Sequence, residues 1–555
     1  SLRYSQKSSI RSSYSQSARN VNLESLQMNK LRFSSLGLHG RKKEKDDLNA
    51  CFDRLARAPA RSDGIGIDGD DMKELNNLRR PSEVVFLSGE SGTGKTTLAG
   101  SIKPRVVRGK GVYVHGKFDL YLREPYFGIT SAFREICVSI VQLKNLNCIK
   151  YQELCDNIFA EVGDQIALLV NISPELQEAI GITVMPNAIA EQGNKEAKER
   201  LKYAFLRFFR VVTRYLSHMV LVIDDLQWTD LSSMELLDAL IRDEEISLMF
   251  IGIYRSNEVN DSHYLMKYLQ GMREANESGI FMLTEISIGN LDVATCEEIL
   301  VELLSQDVDD TTRSLTETCH KRTNGNVYHL LAYLAMLQEQ KLLEFNIGNF
   351  KWTWDSRRIE DETTPCSNVV GLMKGKMKKQ PRAVCNLLQL ASCLGQSFDK
   401  YLLTYAYSKM HDGESEDLAE MEEDLDHLLS LVVDEAFLEQ HTPSRFCWAH
   451  SSIQVAAMHL VNDDQMLVFK FKLGKMLLQG FEEGLESNIF VIVNLLNSLE
   501  CPVTDRLAIA ELNLKAAKRA AEISAFESCV SFGERGIALL SSESWSQQQK
   551  LTLEL

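Results

Sequence analysis

The densest chemistry of the chain lies in nine residues, Gly89-Glu90-Ser91-Gly92-Thr93-Gly94-Lys95-Thr96-Thr97. Their order is G-x-x-x-x-G-K-[ST], the spacing of a loop that cradles phosphate. Glycines let the backbone curl so that several N–H groups converge on anionic oxygens. Lys95 brings a point charge to the outer phosphates of a triphosphate, and the Thr96 hydroxyl is a hard oxygen ligand suited to Mg²⁺. Upstream, Val84-Val85-Phe86-Leu87 is an apolar run fit for a buried strand. Downstream, Thr97-Leu98-Ala99 suits a helix start, whose dipole favours an anion. The bland alternative is a glycine-rich turn that holds nothing.

A second group argues against that alternative. Val220-Leu221-Val222-Ile223-Asp224-Asp225 is an apolar strand ending in two carboxylates. With a phosphate loop upstream, Asp224 is placed to orient the Mg²⁺ water shell and Asp225 to polarise an attacking water. Two acids this close repel each other, and a bound divalent cation offsets that. A further strand between the two motif strands is expected of triphosphatases with an extra catalytic acid. Arg255, in Ile251-Gly252-Ile253-Tyr254-Arg255-Ser256-Asn257-Glu258, follows another apolar run. It is suited to sense a γ-phosphate or to stabilise transition-state charge; pairing with Glu258 at the surface is the alternative.

The elements that must position these groups can be read from periodicity. Leu48, Cys51, Phe52 and Leu55 fall on one helical face. Strands are expected near 84–87, 112–115, 218–223, 248–254 and 281–286, with helical patterns over most of 128–215. Strands alternating with helices imply an α/β core with a doubly wound, mainly parallel sheet, which binds ligands at the carboxyl ends of its strands. Beyond about residue 290 the pattern is nearly all helical, broken by a small hairpin near 345–354. The acidic stretch 411–426 reads as a solvated loop and helix face. From about residue 465, Ala/Leu-rich patterns such as Leu512-Asn513-Leu514-Lys515-Ala516-Ala517 resemble stacked helix pairs of the TPR kind. Residues 1–35 form a Ser-rich, basic tail that buries too little apolar surface to order itself, and 61–71 a Gly/Asp-rich loop.

Composition bounds the function. The chain has 555 residues, 44% hydrophobic and 25% charged, as in globular proteins, and a net charge of −16 that argues against a dedicated nucleic-acid binder. Its 12 cysteines show no C-x-x-C pair or zinc spacing, which reads as reduced thiols in an intracellular, cytoplasmic protein. No apolar run has the length of a membrane span, and no secretory signal is present. The start at Ser1 and the end at Leu555 within a helical pattern read as a piece of a longer protein.

Asp224-Asp225-Leu226-Gln227-Trp228-Thr229-Asp230 resembles the D-D-x-[QH]-W-x-D signature of STAND-class signalling ATPases with an Orc1-like AAA ATPase domain. Leu38-His39-Gly40-Arg41 is similar to that family's opening motif, which implies that Gly40 and Arg41 lie near the nucleotide base. Arg255 fits its Y-R-x-x-E element, and Lys117-Phe118-Asp119 also fits. Thr323-Asn324-Gly325-Asn326-Val327-Tyr328 is similar to a G-N-P-F element of the helical lid. Trp352 to Asp355, Leu394 to Asp399 and Trp448-Ala449-His450 fit a winged-helix-like region, and Leu512 to Ala517 and Trp545 the start of the repeats. The resemblance implies a P-loop AAA-type core over 36–288, a helical lid over 289–360, a winged-helix-like domain over 361–464 and a repeat region over 465–555. Similar blocks sit between kinase-like and sensor, histidine-kinase or cyclase domains. Three departures matter. Val327 replaces the lid proline, Ser451 follows His450 where the family usually has Asp, and the second acid is Asp225 rather than the longer Glu of fast AAA enzymes. His450 is expected to be a packed helix cap without a catalytic role.

Together these imply an ATP- and Mg²⁺-binding, slowly hydrolysing signalling switch, with ATP preferred on the strength of the resemblance. Gly89 to Thr97, Gly40 and Arg41 hold the nucleotide; Thr96 and Asp224 hold the metal; Asp225 and Arg255 are catalytic. Its partners would be proteins on the helical repeats, and a nucleotide-dependent oligomer fits. The rivals are a DNA-associated Orc1-like ATPase and a non-hydrolysing scaffold.

Overall fold

Five strands form the sheet that the alternating pattern calls for. They are β1 (Ser82–Gly89), β2 (Tyr113–Lys117), β3 (Val220–Asp224), β4 (Met249–Arg255) and β5 (Phe281–Ser287). In this computed structural model they are parallel and ordered β2-β3-β4-β1-β5. β4 therefore lies between β1 and β3, the inserted strand expected between the two motif strands. The described residues are 31, 33, 36–57, 82–120, 124–182, 194–216, 218–363, 369–410, 418–442, 444–480, 485–499, 502–540 and 548–555. The Ser-rich tail (apart from Leu31 and Phe33), the 61–71 loop, residues 411–417 of the acidic stretch and Trp545 lie outside them.

The chain divides into two compact units, one of 44–90, 99–287 and 373–555, the other of 1–43, 91–98 and 288–372. In the first, Val84, Val85, Phe86 and Leu87 of β1 and all five residues of β3 are buried, as strands covered on both faces must be. Gly252 is needed at the centre of β4: a Cβ there would sit 2.6 Å from Leu226 and 2.8 Å from Phe86. That close approach seats the turn after β3 against the sheet. Helices Phe127–Leu146 and Asn194–Tyr215 meet through Phe133, Phe205, Phe208 and Phe209, with Phe133 and Phe208 stacked at 4.9 Å. Strand three begins two residues later than expected. His218 takes a left-handed φ of 52°, so the chain turns there before the ladder starts at Val220.

The same unit holds β8 (Ser397–Asp399), β9 (Leu438–Thr442) and β10 (Arg445–Trp448), an antiparallel sheet ordered β8-β10-β9. Helices Arg382–Cys393, Lys400–Met410, Leu418–Asp434 and Ser451–Met458 accompany it. The rest is helical: Asp463–Gly480, Leu485–Leu496, Arg506–Glu522, Phe526–Leu539 and Gln549–Glu554. Asn497 and Asn513 exchange amide hydrogen bonds of 2.9 and 3.1 Å, which satisfies polar groups where two of these helices pack.

The second unit is built from helices Val293–Leu304, Asp310–Thr323, Val327–Glu339 and Ser356–Glu362. Asp292, Asp309 and Asn326 cap the first three, accepting from the backbone N–H of Thr295, Thr312 and His329. The expected hairpin is β6 (Leu343–Asn346) with β7 (Lys351–Trp354), held by Phe345 against Trp352 at 5.4 Å. Among the described residues no helix is long and apolar enough to cross a membrane.

Candidate functional site

Strand register gathers the acids and the arginine. Gly89, the last residue of β1, lies opposite Arg255 at the end of β4, and Ile223 of β3 lies opposite Gly252. Asp224 closes β3 and is 3% exposed; Asp225 follows at 4%. Asp225 takes a left-handed φ of 56°, a conformation that Asp tolerates better than most residues, and its N–H donates to Asp224 Oδ1 at 2.8 Å.

Asp225 is the hub of a buried ion cluster. Arg255 Nε donates to its Oδ1 at 2.9 Å and Arg255 Nη2 to its Oδ2 at 3.3 Å. Gln227 Nε2 donates to Oδ1 at 2.9 Å, and Lys117 Nζ, from the end of β2, lies 3.5 Å from Oδ2. Burial works against the Asp225 charge, but Lys117 and then Arg255 outweigh it and hold the carboxyl below its usual range. Burial likewise opposes the charge on Lys117, and Asp225 and Asp224 raise its pKa in spite of it. Asp225 is thus a paired anion with both oxygens engaged.

Arg255 is spread over more partners than the acid alone. Nη1 donates to Glu258 Oε1 at 2.8 Å, and Nη2 also donates to Ser451 Oγ at 2.9 Å. Its guanidinium lies 4.4 Å from the centre of the Trp228 ring, a cation–π contact, while Trp228 Nε1 donates to Glu258 Oε2 at 3.0 Å. Arg255 pairs with Glu258, as the surface alternative had it, but it does so as a largely buried residue that is also tied to Asp225. Ser451 begins the helix that His450 caps, His450 Nδ1 accepting from the Ser452 N–H at 3.1 Å.

The loop residues have their own surroundings in the other unit. Gly92 has φ +81°, and a Cβ there would sit 2.7 Å from Asn326 Oδ1 and 2.8 Å from Tyr328 Cβ. The Asn326 amide donates to the Ser91 carbonyl at 2.9 Å, and the Tyr328 N–H to the Gly92 carbonyl at 3.1 Å. The carbonyls of the loop are thus tied back by the Asn326-Val327-Tyr328 turn. Gly94, at φ +91°, has open space where a Cβ would point. Thr93 and Lys95 are buried, whereas Glu90, Thr96 and Thr97 are exposed. Lys95 opens the helix Lys95–Gly100. Gly40, at φ +62°, has room for no side chain against Thr295, and the buried Arg41 donates from Nη2 to the Gly289 carbonyl.

Gln227, Ser451 and the ion-pairing role of Lys117 were not assigned from sequence. Gln227 and Lys117 carried a signal, since each sits in a motif quoted for the resemblance. Ser451 carried one only as a departure, the missing Asp after His450.

Residues 72–251 match the family model described as an AAA ATPase domain, a stretch that includes Gly89 to Thr97 and Val220 to Asp225 and stops short of Arg255. The chain is 24% identical over 407 residues to hybrid signal transduction histidine kinase G of Dictyostelium discoideum, covering 60% of this chain. It is 24% identical over 285 residues to histidine protein kinase 1 of Candida albicans, covering 46%. The match spans 11% of the length of each relative. Among solved structures, a STAND protein with a tetratricopeptide repeat sensor from Pyrococcus horikoshii aligns with 90% of this chain and 58% of its own, at 12% identity and a TM-score of 0.40. The ORC2 protein of Aeropyrum pernix aligns with 80% of this chain and 95% of its own, at 11% identity and a TM-score of 0.33. The chain thus carries, in its residues 72–251, an AAA ATPase domain.

Proposed function

We propose that this protein is an ATP-binding signalling switch of the STAND class that hydrolyses ATP slowly. The phosphate-loop backbone and Lys95 hold the phosphates, and Gly40 and Arg41 serve the base. Thr96 and Asp224 offer a hydroxyl and a carboxylate, the hard oxygen donors that suit Mg²⁺. When bound, that ion would neutralise charge on the outer phosphate oxygens. Asp225 orients the attacking water, and Arg255 answers the γ-phosphate. Residues 289–360 act as lid, 361–464 as a winged-helix-like relay and 465–555 as a TPR-like surface for protein partners, in an intracellular protein that assembles with nucleotide. Similarity to two histidine kinases supports placing it in signalling.

One observation carries the reading: Arg255 joins the candidate base Asp225 to Ser451. A base neutralised by Arg255 and Lys117 is poorly placed to accept a proton. Hydrolysis then requires Arg255 to release Asp225, and a release that swings the guanidinium away also breaks its bond to Ser451. Chemistry at Asp225 and the position of the helix Ser451–Met458 are coupled in this way.

The test is equilibrium ATP binding followed by single-turnover hydrolysis. Wild-type protein should bind ATP with Mg²⁺ and turn it over slowly; Lys95→Ala should lose binding, and Asp225→Asn should bind without turnover. Equal binding by Lys95→Ala would overturn the site. The paired state of Asp225 also favours a second reading, a scaffold that binds ATP and never cleaves it. Bound ATP with no turnover in wild type would select that reading.

A further inference from the structure

The hairpin β9–β10 presents a group of side chains that the ATPase site does not use. Glu439 of β9 pairs in register with Cys447 of β10. Side chains alternate along a strand, so Glu439 and His441 share a face of β9. Phe446 and Trp448 of β10 are buried, and Cys447 between them points to the opposite, partly exposed face. One carboxylate oxygen, one imidazole nitrogen and the thiol sulfur of these three residues all lie within 4.8 Å of one another. Oxygen, nitrogen and sulfur donors together suit Zn²⁺ better than Mg²⁺ or Ca²⁺. A tetrahedral ion with bonds of about 2.1 Å needs its ligand atoms about 3.5 Å apart, a gap that rotations of the exposed Glu439 and His441 side chains toward Cys447 can close.

We propose that Glu439, His441 and Cys447 form a Zn²⁺ site on the β9–β10 hairpin, with a fourth position left for water. The site lies outside the nucleotide residues and does not depend on how they act. Binding forms the metal–sulfur bond, and the thiol proton leaves to the buffer.

The experiment titrates Zn²⁺ into metal-free protein by calorimetry, then repeats the titration with Co²⁺ to look for a thiolate charge-transfer band. One Zn²⁺ per chain is expected. Cys447→Ser and His441→Ala should each weaken binding by more than about tenfold, and Cys447→Ser should remove the Co²⁺ band. Cys148→Ser, at an exposed cysteine elsewhere, should change neither. Unaltered melting of the metal-free variants separates loss of a ligand from loss of the fold. Failure of the wild type to bind Zn²⁺ would overturn the proposal, and equal binding by the Cys447→Ser, His441→Ala double variant would mean an adventitious ion only and overturn it as well.

Discussion

Asp225 keeps a charge that its burial opposes, because Lys117 and Arg255 stand against its two oxygens. Removing one partner leaves the others exposed to the cost of burial. Arg255→Ala should destabilise the protein by about 3 kcal/mol, seen as a lower urea midpoint at pH 7. The pH dependence has a fixed sign. The folded pKa of Asp225 is depressed, so its contribution is fully present above the unfolded carboxylate value of about 4 and is lost as pH falls through the lower folded value. Urea midpoints measured from neutral to acid pH should therefore fall less steeply on the acid side in Asp225→Asn than in wild type. An equally steep fall in the variant would remove Asp225 from the account. The two acids and the arginine were visible in the sequence as residue types at strand ends. Their pairing was not, because Lys117 and Asp225 are brought together by β2 lying beside β3, a neighbour relation that no local pattern encodes.

The turn Asn326-Val327-Tyr328 does two jobs at once. Asn326 caps the helix Val327–Glu339 through its oxygen and holds the Ser91 carbonyl through its nitrogen. Substitution can separate them. Asn326→Asp keeps an acceptor for the His329 N–H but cannot donate to Ser91, whereas Asn326→Ala loses both bonds. We expect thermal melting to show a loss of about 1 kcal/mol more for Ala than for Asp, and ATP affinity to fall in both. Equal affinity in wild type and Asp would separate the Ser91 bond from nucleotide binding. Gly92→Ala should weaken ATP binding more sharply, since its Cβ would meet Asn326 and Tyr328 at under 3 Å with φ already at +81°. The order of elements is largely legible: apolar runs of strand length mark β1, β3 and β4, shorter mixed patterns mark β2 and β5, and the loop motif marks its own glycines. The sequence places the start of β3 two residues early because His218 is followed at once by apolar residues, and nothing local signals its left-handed turn. Val327 itself is not a proline. The helix starts there on the strength of the Asn326 cap.

Across the molecule, Arg255 and Ser451 are 196 positions apart in sequence and 2.9 Å apart in space. A hydrogen bond to a charged group contributes about 1.5–3 kcal/mol, enough to set how often Arg255 is released. If the coupling operates, Ser451→Ala should raise single-turnover hydrolysis several-fold and Ser451→Asp, which offers a full charge, should lower it. Identical rates in all three proteins would dissociate that helix from the chemistry. This link could not have been read forward from the sequence, where Ser451 registers only as a missing carboxylate. Trp228 adds a property of a different kind. Its indole has the guanidinium over its face at 4.4 Å and its N–H on Glu258. Departure of that cation would alter the electric field along the ring and with it the colour and yield of emission. A variant with Trp228 as its sole tryptophan would carry an intrinsic optical probe of the cluster, readable in real time without a label.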